Sequence, residues 1–268
     1  MRRRVGTIIS AVDETVATRR DTIEAFVQRS KRKRAVGIRQ TFLQPGRGAR
    51  SGAAVLSWFV RRKDMLGLDL LLLLTLMGRG ARYGGHYINI QSGVWTRALG
   101  RDGEYAAQQL SRALRRLEGS QLIKRAKTRK GVRVELRKED ASGAPYGPPG
   151  GGPNDLYFQL PLAYWLDDHY MKLSLRGKAM LLVALGEAAE FELPVAQVPK
   201  FYGVSSETAA DGFDELVRRG LALYEVRSVK DPMAPLGKRS VKFWRLQPPY
   251  ERSETEAPAA AVRIRRLK

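Results

Sequence analysis

The sequence predicts an α+β fold, mainly helical, in which one order of elements occurs twice. The leucine-rich segment 66–78 matches 173–186, and the amphipathic segment 107–123 matches 207–223 at the same apolar spacing. Apolar residues three or four positions apart indicate helices that bury one face. A chain of 268 residues is long enough for about two domains. We therefore expect two similar domains that follow a basic helical N-terminal arm.

Composition places the boundaries between these parts. A helix is expected near residues 8–29, followed by a basic run and a flexible joint at 44–52. Residues 139–154 are dominated by Gly and Pro, which sustain neither helix nor sheet, so they indicate a linker. The predicted order is arm, first domain, linker, second domain and C-terminal tail, at residues 1–53, 54–138, 139–154, 155–250 and 251–268.

Each domain is expected to hold the same elements in the same order. An extended aromatic segment, at 54–62 and again at 157–166, precedes a leucine-rich helix. A short helix, a tight turn, a longer amphipathic helix and a β-hairpin follow. In the first hairpin, residues 132–137 alternate apolar and charged side chains, as a half-buried strand does, and "TRKG" supplies the turn.

The turns before the two longer helices carry residues that can end one helix and start the next. Asp102 and Ser205 lie where a side-chain oxygen can accept from the first N–H groups of the longer helix. Gly100 and Gly203 allow the preceding short helix to end. Two helices joined in this way form a helix-turn-helix.

This order of helices, capped turn and hairpin resembles the winged-helix family of DNA-binding domains, present twice, over residues 54–138 and 155–247. In tandem it is similar to plasmid replication initiators and also to some transcription regulators, and no motif separates the two. The resemblance implies that the longer helix enters the major groove and that the hairpin, or wing, follows the DNA backbone.

Charge is divided unequally along the chain. Residues 1–138 hold 31 Lys and Arg against 10 Asp and Glu, whereas residues 139–268 hold 17 against 17. Clustered cations displace the counterions condensed on a polyanion, and nucleic acid is the first partner to consider. We expect double-stranded DNA to bind the arm and the first domain, and a fragment of residues 1–138 to keep most of the affinity. An ordinary solvated surface is the alternative.

Helical projection separates two faces of the longer helix in the first domain. Its predicted core face holds Ala106, Ala107, Leu110, Ala113, Leu114 and Leu117. The opposite face suits base recognition, because Arg can pair with guanine and Gln with adenine. That face consists of Tyr105, Gln108, Gln109, Arg112, Arg115 and Arg116.

Phosphate contacts are expected from two further basic groups, since such contacts position a protein on DNA without reading sequence. The predicted wing contacts are Lys124, Arg125, Lys127, Arg129, Lys130 and Arg133. The predicted arm contacts are Lys31, Arg32, Lys33 and Arg34.

The longer helix of the second domain is acidic on the face predicted to be exposed, which opposes DNA binding. The acidic residues are Glu207, Asp211, Asp214 and Glu215. We therefore expect this domain to form a homodimer or to dock a protein partner, although Arg218, Arg219, Lys238 and Arg239 could still touch a DNA backbone. Candidate contact aromatics, which core packing could equally explain, are Tyr164, Trp165, Phe201, Tyr202 and Trp244.

Other classes of function find little support in the composition. The chain has no cysteine and two histidines, which excludes disulfides and makes a metal site or other cofactor improbable. The neighbouring Asp167, Asp168 and His169 are not expected to form an acid/base site, so no enzyme is predicted. The apolar run 65–78 is too short to span a membrane. The sequence thus predicts a cytoplasmic, nucleoid-associated transcription regulator; a replication initiator, or a nucleoid or partition protein, is the alternative.

Overall fold

A computed structural model describes residues 16–44, 54–78, 87–129 and 131–251. The expectations for residues 1–15, for most of the joint at 44–52, for Lys130 and for the tail beyond Glu251 lie outside the described residues.

The described residues form helices and short antiparallel strands, which gives the predicted α+β class. The helices are α1 (Arg19–Ser30), α2 (Val55–Arg61), α3 (Met65–Met77), α4 (Ser92–Ala98), α5 (Ala106–Gly119), α6 (Ala163–Leu166), α7 (His169–Lys172), α8 (Leu175–Gly186), α9 (Val198–Tyr202) and α10 (Ser206–Arg218). The strands are β1 (Ala35–Arg39), β2 (Ile88–Ile90), β3 (Ile123–Thr128), β4 (Gly131–Leu136), β5 (Tyr157–Pro161), β6 (Glu190–Glu192), β7 (Ala222–Lys230) and β8 (Lys238–Leu246).

One order of elements occurs twice, as the sequence predicts. The first copy runs α3, β2, α4, α5, β3, β4, and the second runs α8, β6, α9, α10, β7, β8. Their sheets have matching strand orders, β2-β4-β3 and β6-β8-β7. In both sheets the hairpin strands pair with each other, and the short strand between the first two helices joins the second hairpin strand. The short strands β2 and β6 were not predicted.

Three local expectations were wrong. In the segment 157–166, expected to be extended throughout, only Tyr157–Pro161 form a strand, and Ala163–Leu166 form α6. Within 54–62, Val55–Arg61 form a helix instead of an extended segment, because Val55, Leu56 and Phe59 are buried at helical spacing although the composition favours a strand. Asp102 does not cap α5, which begins at Ala106 without a side-chain cap.

The other predicted helix-capping and helix-ending residues are confirmed. Ser205 accepts a hydrogen bond from the N–H of Thr208 at the start of α10, with 3.2 Å between N and Oγ. Gly203 ends α9 in the left-handed conformation at φ +65°, and Gly100 follows α4 at φ +58°. Glycine takes this conformation without a steric penalty, so both short helices end where the sequence indicates.

The described part of the expected arm belongs to the folded core. Ile23 and Phe26 of α1 are buried, and the Phe26 ring lies 5.0 Å from that of Trp95 in α4. Strand β1 pairs antiparallel with β5, which follows the first copy in the chain. Helix α1 and strand β1 of the expected arm therefore have structural roles in the folded core.

Two sets of buried ion pairs stabilise this arrangement, and one of them joins the copies directly. Arg39 is 6% exposed, and its guanidinium donates to Glu139 at 2.8 Å and to Asp155 at 2.6 Å. Lys178 of α8 donates to both carboxylate oxygens of Asp69 in α3, at 2.6 and 2.7 Å. Within the predicted linker, Glu139 and Tyr146 are buried, and Tyr146 belongs to a core that extends through both copies.

Candidate nucleic-acid interface

Helix α5 presents the outward face that the sequence predicts. Leu110, Ala113, Leu114 and Leu117 are buried, whereas Ala107, expected in the core, is exposed. The whole predicted recognition set is exposed, namely Tyr105, Gln108, Gln109, Arg112, Arg115 and Arg116. Packing of α5 against α3 and α4 holds the buried face and directs the polar face away from the core.

The arginines of that face differ in their partners. Arg116 donates from Nε and Nη2 to the two carboxylate oxygens of Asp64, each at 2.7 Å. These hydrogen bonds raise the pKa of Arg116, and Asp64 neutralises its charge locally. Among the contacts of the described residues, Arg112 and Arg115 have no acidic partner. They are the cations of α5 with hydrogen-bonding capacity left for a ligand.

The β3–β4 hairpin continues this basic surface. Lys124, Lys127 and Arg129 are exposed, whereas Arg125 is partly buried and bonded through Nε to Glu118 of α5 at 2.7 Å. Partial burial acts to raise the pKa of Glu118, but the hydrogen bonds from Arg125 outweigh it and lower that pKa. The Arg125 contact therefore fixes the hairpin to the helix.

Arg133 and Lys130 are the other two residues predicted to contact phosphates from the wing. Arg133 is exposed and places its guanidinium carbon 4.8 Å from the centre of the Tyr87 ring. Lys130, at the tip, lies outside the described residues. The described wing cations without an acidic partner are thus Lys124, Lys127, Arg129 and Arg133.

The basic residues that follow α1 also differ in their exposure and in their partners. Lys31, Lys33 and Arg34 are exposed, whereas Arg32 is half-buried. The Arg32 guanidinium donates to the carbonyl oxygens of Thr75, Leu76 and Gly78, at 2.9–3.1 Å, where α3 ends. Arg32 therefore caps a helix, which makes it unsuitable as a phosphate contact.

The second copy lacks an equivalent basic face on α10. Glu207 and Asp214 are exposed, and Asp211 pairs with Arg176 of α8. Glu215, expected on the surface, is 8% exposed and accepts from the backbone N–H of Ser174 at 3.0 Å and from its hydroxyl. The face is acidic as predicted, but Glu215 stabilises the start of α8 instead of facing solvent.

Burial and hydrogen bonding have opposite effects on the pKa of Glu215. Desolvation acts to raise that pKa, but hydrogen bonds from Ser174 and Arg219 outweigh it and hold the pKa below its ordinary value. The carboxylate therefore stays charged, because a hydrogen-bonded anion is stabilised at a helix N-terminus.

The candidate contact aromatics of the second copy are mostly core residues. Tyr164, Trp165, Tyr202 and Trp244 are each no more than 3% exposed. Trp244 stacks on Phe213 of α10 with 4.4 Å between ring centres. Phe201 alone of the five predicted aromatics is partly exposed, so these side chains do not form a docking patch on the single chain.

The Asp167–His169 segment shows separate structural contacts. Asp168 pairs with Arg19 at 3.1 Å, and His169 Nδ1 lies 2.6 Å from the Tyr250 hydroxyl oxygen. Within the described ranges, no group of three or more Asp, Glu or His side chains is placed to hold a metal ion. Nor does any helix there have the length and apolar character needed to cross a membrane.

The sequence analysis did not identify Asp64 and Arg39, which hold other parts of the chain in place. Asp64 could have been found, because an Asp directly before an apolar helix is a capping signal, and its Oδ1 does accept from the N–H of Gly67. Its second role, holding Arg116, has no local signal. The role of Arg39 has none either, since its partners lie 100 or more residues away.

Comparisons with family models, with curated proteins and with solved structures each found no match.

Proposed function

We propose that the chain binds double-stranded DNA through a first winged-helix unit, built from α3, α4, α5 and the β3–β4 hairpin, and acts as a sequence-specific transcription regulator. The observation that carries the proposal is a row of exposed side chains on α5. Gln108, Arg112 and Arg115 follow one another at spacings of four and three residues, which puts them on one side of a helix.

The chemistry of this row suits base edges in the major groove. Arg can donate two hydrogen bonds to guanine, and Gln can pair with adenine. Arg112 and Arg115 lack acidic partners among the described contacts, so binding DNA would not require them to break an ion pair. The exposed Lys124, Lys127 and Arg129 on the neighbouring hairpin supply charge for phosphates.

The test compares a base-reading candidate with a phosphate-binding candidate in the full chain. A preferred duplex is first selected from random DNA, and affinities for it and for a scrambled duplex are then measured over a salt series. Arg112→Ala should lower affinity for the selected duplex by about 1–3 kcal/mol and relax the preference at one base position. Lys127→Ala should weaken both duplexes alike and reduce the salt slope by about one.

Three outcomes would count against the proposal. If the chain binds neither duplex, DNA binding is wrong. If selection yields no preferred sequence, the protein binds DNA as a nucleoid protein does. If Arg112→Ala weakens both duplexes equally, α5 is a charged surface without a reading function.

A replication initiator is the second candidate, and the shared core favours it. The buried Asp69–Lys178 pair joins α3 of the first copy to α8 of the second, so one chain holds the two copies in a fixed relationship. Because the second copy is already joined to the first, one chain can bind one site as a monomer, which suits an initiator on direct repeats, whereas a regulator usually occupies a palindrome as a symmetric dimer. A footprint over direct repeats, with permanganate-reactive thymines beside them, would replace the regulator by the initiator. A palindromic footprint would support the homodimer expected of a regulator.

A further inference from the structure

The hairpin of the second copy differs from that of the first at its tip. Its strands, β7 and β8, have nine residues each, against six in β3 and β4. The connecting residues 231–237 carry Met233 and Leu236, which are 91% and 81% exposed. The first hairpin has Thr-Arg-Lys-Gly in the corresponding place. One tip is basic, and the other displays two large apolar side chains to water.

The apolar tip is held in a defined shape. The N–H of Asp231 donates to the carbonyl of Gly237 at 2.9 Å, and the Asp231 carboxylate accepts from the N–H of Met233 at 3.0 Å. Pro232 and Pro235 fix two further backbone angles. The loop thus presents Met233 and Leu236 outward, where the chain gives them no apolar neighbour to cover them.

One face of this hairpin is basic and polar from the tip toward the base. Facing pairs on it are Val226 with Lys242, Ser228 with Ser240, and Lys230 with Lys238. All six side chains are exposed. Among the contacts of the described residues, none of the three lysines has an acidic partner. The face therefore offers both lysines and hydroxyls to an anionic ligand.

Acidic side chains near the hairpin are bound elsewhere. Glu190 of β6 accepts from Arg227 at 2.6 Å and from Arg245 Nε at 2.7 Å. Glu192 accepts from Arg239 at 2.8 Å. These arginines alternate along the strands with the residues of the lysine-bearing face, so the two groups project from opposite sides of the hairpin.

The base of the hairpin is firmly packed. Trp244 of β8 stacks on Phe213 of α10, and the Tyr224 ring lies 4.9 Å from that of Trp244. A side chain that separates stacked bases must be supported against them, because unstacking costs about a few kcal/mol per step. The packed base and the ordered loop give that support.

We propose that the β7–β8 hairpin is a DNA-bending arm, in which Lys230, Lys238 and Lys242 lie along phosphates while Met233 and Leu236 enter the minor groove as a wedge between base pairs. This inference rests on the proposed function, since it requires that the chain bind double-stranded DNA. Apolar wedges of Met, Leu or Pro between base steps kink a duplex by about 20–90°. The second copy then acts on DNA through its hairpin, whereas its acidic α10 makes no base contacts.

Protein and lipid fit the arm less well. A stable protein interface buries about 800 Å² on each partner and needs a broad packed patch, which two separated side chains on a narrow loop do not provide. Anionic lipid would match the lysines, but membrane-surface segments rely on a larger apolar face than this tip has. Lipid binding is therefore an outcome that the test must exclude.

The experiment uses the full chain and a duplex of about 40 base pairs with a central TA step, which is a flexible step. Fluorophores at the two ends report bending, and 2-aminopurine beside the TA step reports unstacking. Anisotropy verifies that every duplex is occupied. The variants are the double substitution M233S/L236S and, as matched control, Leu223→Ser, which removes an exposed apolar side chain near the base of the same hairpin.

The wild-type chain and Leu223→Ser should bring the duplex ends together and increase 2-aminopurine emission. M233S/L236S should bind the duplex at saturation, yet lose most of both signals. If the wild type is bound by anisotropy but neither signal changes, the wedge is wrong while DNA binding stands. If anisotropy shows no binding at all, the proposed function itself fails.

Two further results would overturn the wedge. If M233S/L236S folds and bends DNA as the wild type does, the tip is not inserted. A parallel flotation assay uses vesicles of phosphatidylserine and phosphatidylcholine. Loss of vesicle binding by M233S/L236S, with bending unchanged, would assign the tip to lipid.

Discussion

Asp64 holds Arg116 against the start of α3. The carboxylate accepts from Nε and Nη2 of Arg116, both at 2.7 Å, while Oδ1 also accepts from the N–H of Gly67 at 2.9 Å. One acidic residue thus caps a helix and neutralises an arginine on the face of α5 proposed to read DNA. Arg115, one position earlier, has no acidic partner among the described contacts.

This difference predicts opposite effects for two neighbouring arginines. Arg116→Ala should lower the free energy of unfolding by about 1 kcal/mol, because an ion pair with an exposed partner is largely screened. Arg115→Ala should leave unfolding unchanged, but lower affinity for the selected duplex by about 1–3 kcal/mol and relax the preference at one base position. Urea unfolding and salt-dependent binding of both variants check this. Loss of DNA affinity with unchanged stability in Arg116→Ala would show that the pair opens on DNA.

The basic run after α1 permits a second matched comparison. Arg32→Ala removes hydrogen bonds to three carbonyls and a cation from the C-terminal end of α3, so we expect a loss of about 1–3 kcal/mol in unfolding free energy. Lys33 is exposed, and Lys33→Ala should change only the salt dependence of DNA binding. Thermal unfolding separates the two. Equal melting temperatures would contradict the capping role of Arg32.

The buried Asp69–Lys178 pair should respond strongly to removal of one partner. Burial raises the pKa of Asp69 to about 6, although Lys178 acts in the opposite direction. Lys178→Met leaves a buried carboxylate without its cation and should cost about 3–5 kcal/mol, whereas the double variant D69L/K178M should approach or exceed wild-type stability. Chemical unfolding of the two variants tests the pair.

The same variant has a defined pH dependence. Without the ammonium of Lys178, the pKa of Asp69 rises further above its unfolded value, so the folded state holds the proton more tightly than the unfolded state. The destabilisation in Lys178→Met should therefore shrink as pH falls toward about 6 and stay constant below it, where Asp69 of the wild type takes up its proton as well. A destabilisation independent of pH would mean that lost packing, and not the isolated carboxylate, causes it.

Glu190 should show the opposite pH dependence of stability, because its pKa is lowered. Hydrogen bonds from Arg227 and Arg245 lower its pKa to about 2. A lowered pKa stabilises the fold above the unfolded pKa of about 4.5, and this contribution disappears as pH falls toward 2. The stability difference between wild type and Glu190→Gln should be present at about pH 6 and shrink below about pH 4.

The residues predicted correctly are those with a local signal. The buried and exposed faces of α5 follow from helical spacing, Ser205 from its position before α10, and the β3–β4 hairpin from alternation around "TRKG". Residues 54–62 were predicted wrongly, because aromatic and β-branched side chains favour a strand when it is not known which of them are buried.

Long-range partners could not be predicted from such patterns. Arg32 and Arg116 resemble any other exposed cations in the sequence, yet Arg32 contacts residues more than forty positions away and Arg116 contacts Asp64, 52 positions before it. The same limit affects the expected independence of the fragment 1–138. That fragment would lose β5 and Asp155, the partners of β1 and Arg39, so DNA affinity is better measured on the full chain.

The pairing of β1 with β5 also sets the order of events during synthesis. Asp155 follows Arg39 by 116 residues, and a ribosome adding about 5–20 residues per second reaches it roughly 6–23 seconds later. Throughout that interval Val36 and Ile38, which are buried in the finished protein, have no partner strand to cover them. The basic N-terminal half can therefore finish folding only after β5 has been synthesised. A chain stalled before β5 is the form that chaperones and proteases would encounter.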